Sequence, residues 1–174
     1  QVADTDGVAL SGDEYAADGK QQLYGMDVVY KWDSAGEFGQ GDIKVTGEYL
    51  RLKNDLTITG AGAGSALAIG AKVSGAQDGY YLQASYGIAP RWQLAVRQDA
   101  NGMTNESSSG NHSLQLKQSS RQSVALSFSP SEFSRLRLQL AQAGIYDDGG
   151  VKTSLKQVFL QYTQSLGPHG AHRF

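Results

Sequence analysis

The chain has 174 residues with a formal net charge of −2, 22 glycines, 3 prolines and no cysteine, and its mean hydropathy is −0.39. No window approaches the roughly 18 to 20 consecutive apolar residues of a spanning helix, so a helical membrane protein is excluded. No basic patch supports nucleic-acid binding, and without cysteine there is no disulfide or thiolate chemistry. The length predicts one domain over 1–174.

Four segments in the first 100 residues alternate apolar and polar residues with a period of two, which is typical of β-strands with one apolar and one polar face. The predicted strands are Leu23–Trp32, Asp42–Leu52, Gly79–Ile88 and Arg91–Gln98. The Gly- and Ala-rich segment Leu56–Gly75 either extends the second and third strands as a hairpin or is disordered. Val2–Leu10 is a weak candidate for a further strand.

The last three predicted strands have the most regular alternation. Arg135 and Arg137 alternate with leucines in Ser134–Gln142, and the segments around Val124–Ser129 and Val158–Leu166 repeat the pattern. The leucines are Leu136, Leu138 and Leu140. In a soluble barrel or sandwich the arginines would cover a very small core, whereas in an outer-membrane barrel the apolar face meets lipid and the arginines line a polar lumen. The pattern therefore favours the outer-membrane barrel.

The predicted connections alternate in length. Ala89–Pro90 and Pro130–Glu132 are tight turns, whereas Lys53–Asp78, Asp99–Ser120 and Gly144–Ser154 are longer and rich in Gly, Ser, Asn and Asp. Short turns on one side and long loops on the other are typical of outer-membrane barrels, where the short side is periplasmic. We therefore expect an all-β, antiparallel transmembrane β-barrel of about eight strands in the bacterial outer membrane, with short periplasmic turns and long extracellular loops.

Four stretches of the chain resemble a family of Gram-negative outer-membrane β-barrel proteins labelled zinc-regulated TonB-dependent outer-membrane receptors. They are LYGMDVVYKW at 23–32, GYYLQASY at 79–86, PSEFSRLRLQ at 130–139 and VFLQYTQSLGPHGAHRF at 158–174. The resemblance implies reception or uptake of solutes, with metal ions as one candidate, and the greater length of family members implies that this chain is the C-terminal part of a larger barrel. No stretch resembles a plug domain or an energy-coupling segment, so a passive, porin-like role is equally compatible.

Seven charged residues are predicted to face the lumen. They are Asp27, Lys44, Glu48, Arg97, Arg121, Arg135 and Arg137. Because positive residues outnumber negative ones, the lumen could favour anionic solutes, as basic rings do in selective pores. The alternative is a charge-paired network, because an unpaired buried charge is costly.

Metal or catalytic chemistry has weaker support. His169 and His172 are weak metal candidates, because a zinc site needs three or four ligands and His112 is expected on the opposite side of the membrane. The acids of the loops, Asp78 and Asp99 among them, match no calcium-site spacing, and we expect them to be solvated. No nucleophile elbow, triad or phosphate-binding motif is present, so we expect neither an enzyme nor a cofactor.

These observations predict a protein for the passage or reception of small solutes across the outer membrane. The alternative is a non-transporting small barrel that anchors to the membrane or binds a partner through its extracellular loops. The expected partners are the lipid bilayer, small solutes, and the outer-membrane assembly machinery, which would engage the C-terminal strand and Phe174.

Overall fold

The computed structural model describes residues 15–65, 67–109, 112–115, 117–146 and 151–166. These residues form nine β-strands and one 3₁₀ turn at Glu37–Gly39. The strands are β1 (Tyr15–Trp32), β2 (Ile43–Ala61), β3 (Lys72–Ala89), β4 (Trp92–Asn101), β5 (Glu106–Ser109), β6 (His112–Gln115), β7 (Ser119–Ser131), β8 (Ser134–Tyr146) and β9 (Lys152–Gln164). The predicted all-β, antiparallel fold is confirmed. Within these ranges, no helix has the length and apolar character that crossing a membrane would require.

The seven long strands follow one another in a single sheet, in the order β1-β2-β3-β4-β7-β8-β9. Neighbouring strands are antiparallel, and β5 pairs with both β3 and β6. Strands β1 and β9 are the two edges of this sheet, and the described residues contain no pairing between them.

Several strands extend beyond their predicted ends. Strand β2 continues to Ala61 and β3 begins at Lys72, so half of the Leu56–Gly75 segment extends these two strands. The predicted loop over Asp99–Ser120 is wrong in its middle, where β5 and β6 form a hairpin. In the β5–β6 hairpin, polar residues on both faces hide the two-residue period, whereas backbone hydrogen bonds form regardless of side-chain polarity. The extension of β2 keeps the period, because Leu56 and Ile58 alternate with Thr57 and Thr59. The candidate strand in Val2–Leu10 lies outside the described residues.

Contacts divide the chain into two compact units. The first unit comprises Gln1–Gly25, Leu50–Asp78 and Gly102–Lys117, and the second comprises Met26–Tyr49, Gly79–Asn101 and Gln118–Phe174. Among the described residues of the first unit, the buried apolar side chains are Ala16, Ile58 and Ala76.

A buried carboxylate in the first unit shapes the connection into β5. Asp78 Oδ1 accepts a hydrogen bond from the Thr104 amide at 3.0 Å, and its Oδ2 accepts one from Thr104 Oγ1 at 2.9 Å. The Gly102 amide donates to the Asp78 carbonyl at 2.8 Å. These bonds hold the turn against β3, with which β5 then pairs in the register Ala76↔Glu106. The prediction that Asp78 is a solvated loop acid is therefore wrong.

The short connections of the second unit are joined to one another by backbone hydrogen bonds. The Gly41 amide donates to the Gly87 carbonyl at 2.7 Å, and the Gly87 amide donates to the Asp42 carbonyl at 2.9 Å. The Arg91 amide donates to the Phe38 carbonyl at 2.9 Å, and the Arg91 guanidinium lies 4.5 Å from the centre of the Phe38 ring. The β1–β2 connection is thus tied to β3 and to the β3–β4 turn, which stabilises the strand registers at this end.

We expect Gly87→Ala to destabilise the protein, because the added Cβ would meet the carbonyl oxygen of Gly39 well inside van der Waals contact. Overpacking of this kind costs about 1–3 kcal/mol. Gly79→Ala in the same strand is the control, because the atom nearest its Cβ would be the Ala100 carbonyl oxygen at 3.4 Å. The measurement is the free energy of unfolding from urea titration, and equal losses for the two variants would contradict the close approach at Gly87.

Candidate functional site

One side of the sheet in the second unit carries three rows of aliphatic and aromatic side chains, which we call the apolar face. The central row crosses five strands in direct register through Tyr86, Leu94, Leu126, Leu138 and Leu160. The flanking rows are Ala84, Val96, Val124, Leu140 and Val158 on one side and Trp92, Phe128, Leu136 and Tyr162 on the other. Most of these side chains are exposed, and the exposed fraction of Leu160 reaches 78%. The apolar face is therefore an exposed side of the sheet.

A row of long polar side chains borders the apolar face. Gln98, Gln122, Gln142 and Lys156 lie in direct register across β4, β7, β8 and β9. A shallow groove of about 770 Å³ lies between this row and the aliphatic row that contains Val124. At the other border the rings of Trp92 and Phe128 stack with their centroids 4.7 Å apart. The apolar face thus has a polar border on one side and an aromatic border on the other.

The opposite side of the sheet, which we call the polar face, buries its small residues. They are Ser85, Ala95, Ala125, Ser127, Ala141 and Ala143, and the exposed fraction of Ala125 is only 3%. Longer polar side chains, four arginines among them, lie on the same face of these strands at two-residue spacing from the small residues. The small residues therefore form a floor on which the long side chains lie.

Arg97 forms the ion pair of this face. Its Nε and Nη2 atoms donate to Asp99 Oδ1 at 2.8 and 2.6 Å, and its guanidinium lies 4.0 Å from the centre of the Tyr81 ring. This is the one salt bridge among the described residues. Sequence reasoning missed Asp99 because it assigned this residue to a loop. The continued alternation of Arg97, Asp99 and Asn101 was the available signal.

Arg121 lies directly opposite Asp99 in the register of β4 and β7 but does not pair with it. Its guanidinium lies 5.5 Å from the centre of the Phe159 ring on β9. Because β8 separates β7 from β9, the side chain must pass over the floor residues Ala141 and Ala143. Its Nε atom is buried and has no hydrogen-bond partner.

Arg135 and Arg137 add two further cations to the polar face. Arg137 Nη2 donates to Gln139 Oε1 at 3.0 Å, and both Arg97 and Arg135 are close enough to Arg137 to interact with its charge. Neither Arg135 nor Arg137 has a carboxylate partner among the described residues. Among the residues that the structure describes, Arg135 and Arg137 thus belong to no charge-paired network.

The structure brings together only some of the seven predicted lumen residues. The arginines lie on β4, β7 and β8. Asp27 lies exposed on β1, and Lys44 and Glu48 lie on β2. Asp27, Lys44 and Glu48 form no salt bridge within the described part of the chain. Their orientation towards a lumen stays a prediction.

The histidine candidates fall outside what the structure describes. His169 and His172 lie beyond residue 166, as does Phe174, and the side chain of His112 is also outside the described set. In the ranges that the structure covers, no three His, Asp or Glu side chains come together in an arrangement that could hold a metal ion.

The first unit contains a recess of mixed charge with a volume of about 510 Å³. Its charged lining residues are Lys20, Arg51, Lys53, Asp55 and Glu106. Lys53 Nζ lies 5.8 Å from the centre of the Tyr24 ring, and the buried Arg51 Nε and Asn54 Oδ1 atoms have no hydrogen-bond partner. The recess is therefore lined by both cations and carboxylates.

Comparison of the chain with protein-family models, curated proteins and solved structures finds no match.

We expect Ala141→Leu to destabilise the protein by about 1–3 kcal/mol, because overpacking displaces neighbouring side chains and Arg121 passes over this position. Gln142→Leu is the control, since its side chain is exposed on the apolar face of the same strand. The free energy of unfolding measures both effects, and tolerance of leucine at both positions would contradict the packed floor.

Proposed function

We propose that this chain forms part of the wall of a bacterial outer-membrane β-barrel whose polar face lines a path for small solutes. The main support for the proposal is the distribution of exposed and buried residues in the second unit, which is the reverse of that in a soluble protein. Its aliphatic rows are exposed and its Ala and Ser residues are buried, which is the arrangement of a barrel with lipid outside and polar groups inside.

A location in water would be unfavourable for such a surface. Each square ångström of apolar surface left in water costs roughly 25 cal/mol, and soluble monomers rarely expose contiguous apolar patches larger than a few hundred square ångströms. Three registered rows across several strands form a continuous apolar band. Contact with lipid removes this cost and leaves the arginines on the opposite, polar side.

Closure of the barrel requires further strands. In a sheet of seven alternating strands, β1 and β9 run in the same direction and cannot pair in an antiparallel manner. Copies of the chain arranged around an axis normal to the membrane would also bring β9 of one copy beside a parallel β1 of the next. Bacterial single-chain barrels have even numbers of antiparallel strands, so we propose that an odd number of additional strands joins the two edges.

The wall leaves room for a solute path. Arg97 stacks on Tyr81 and Arg121 extends towards Phe159, so both side chains lie along the sheet. The floor between them consists of Ala and Ser, which fill little of the interior. These features support passage of solutes over the alternative of a packed, non-transporting barrel. The family resemblance supports reception of a solute, with a metal ion as one candidate, as a variant of this role.

We expect Leu138→Arg to cost about 2–4 kcal/mol of folding free energy in a bilayer, because a cation near the midplane of the lipid face is desolvated. Leu138 lies in the central apolar row. Arg137→Leu, one position away on the polar face, is the control and should fold well. Equal folding of the two variants in vesicles would contradict the proposed lipid-facing side.

Transport itself is tested by conductance of the purified full-length protein in planar bilayers. We expect stepwise, ohmic single-channel currents, because a polar, incompletely filled lumen conducts ions. Quenching of Trp92 by brominated lipid in a Trp32→Phe variant reports independently whether the protein has inserted. Inserted protein without conductance would contradict solute passage and favour a membrane anchor or a loop-mediated binding protein.

A further inference from the structure

We propose that the solutes that use the polar face are anions, and that Arg121 is the side chain they contact. This inference rests on the proposed function, because it names the class of solute for the same surface.

The polar face has more positive than negative side chains. Over β3, β4, β7, β8 and β9, the residues in register on this face include four arginines and a single carboxylate, that of Asp99. Asp99 Oδ1 receives two donors from Arg97. Within these five strands, Arg121, Arg135 and Arg137 therefore have no carboxylate partner.

Arg121 lies opposite a carboxylate but extends away from it. Asp99 is its cross-strand partner in register, and side chains in such pairs lie close enough to interact. Arg97 nevertheless takes the carboxylate, and Arg121 extends in the other direction to the Phe159 ring. Its buried Nε has no acceptor. A guanidinium carries five N–H donors, so Arg121 is charged, oriented and short of acceptors.

The chemistry of the guanidinium indicates the class of ligand. Its planar fork matches the two oxygens of a carboxylate or a phosphate, and charge-assisted bonds of this kind are roughly twice as strong as neutral ones. Contact between the guanidinium and an aromatic ring is favourable for arginine and leaves its donors available. Small carboxylates and phosphate esters therefore fit the site, and a hydrated cation would be repelled by the nearby arginines.

The floor explains how Arg121 is kept in place. Ala141 and Ala143 are both buried, and they lie beneath the route of Arg121 from β7 towards β9. Larger side chains there would lift the guanidinium away from Phe159. Small residues at these two positions thus allow the Arg121 guanidinium to keep its orientation.

The test is the reversal potential of single channels of the full-length protein under a potassium chloride gradient. We expect the wild-type channel to be selective for chloride. Arg121→Gln should reduce the chloride-to-potassium permeability ratio about threefold, because one unit charge is lost from the wall of a narrow polar path. Lys156→Gln removes the same charge from the glutamine row beside the apolar face and should leave the ratio unchanged.

The contact with the solute is tested by blockade of the same channels with inorganic phosphate at constant ionic strength. Phosphate should reduce the wild-type chloride current, and Arg121→Gln should weaken the blockade about tenfold, since loss of a charge-assisted bond has about this effect.

Each outcome identifies what fails. Channels that conduct but prefer potassium, or that do not discriminate between the ions, overturn the anion inference and leave the solute path intact. Equal effects of Arg121→Gln and Lys156→Gln on selectivity, or unchanged phosphate blockade in Arg121→Gln, overturn the role of Arg121. Inserted protein that never conducts overturns the solute path and the inference together.

Discussion

The registered antiparallel pairing of β3, β4, β7, β8 and β9 is the constraint on which both faces of the second unit depend. Side chains alternate faces along a strand, so a slip of one residue moves a whole set of side chains to the wrong side. In the middle of the strands the pairing is direct and uninterrupted, as in Leu94↔Leu126 and Leu126↔Leu138. Irregularities occur only beside the short turns, after Gly87 and Phe128. The register thereby keeps the aliphatic rows continuous and the arginines together.

The same register links the stability of the sheet to the chemistry of the polar face. Arg121 can reach Phe159 only because β8 presents Ala141 and Ala143 between them. Arg97 meets Asp99 within one strand at two-residue spacing, which leaves Arg121 without the carboxylate that stands opposite it. Packing and charge on the polar face therefore depend on the same residues. The small side chains that allow close packing also leave room for Arg121 to extend away from Asp99.

Alternation in the sequence was sufficient to predict the all-β antiparallel fold and the seven long strands, since each strand of the second unit has one apolar and one polar side. It failed where both sides are polar. The β5–β6 hairpin has no apolar row, and its strands depend on backbone pairing and on the Asp78–Thr104 contacts. The arginines could be assigned to one face from the sequence, but their partners could not. Whether Asp99 pairs with Arg97 or Arg121 depends on side-chain paths across neighbouring strands.

In the proposed barrel, the total number of strands decides how much space the polar face encloses. A barrel of eight strands has an interior just wide enough to be filled by side chains. The polar face described here is poorly suited to fill one, because its floor is Ala and Ser and two of its arginines lie along the wall against aromatic rings. An eight-stranded barrel with this polar face would contain either voids or guanidinium groups buried without water or a counter-ion, and both are costly. A wider barrel hydrates the same arginines and lets mobile anions balance their charge. The composition of the polar face therefore supports the proposal of a larger barrel with a solute path over a proposal of eight strands.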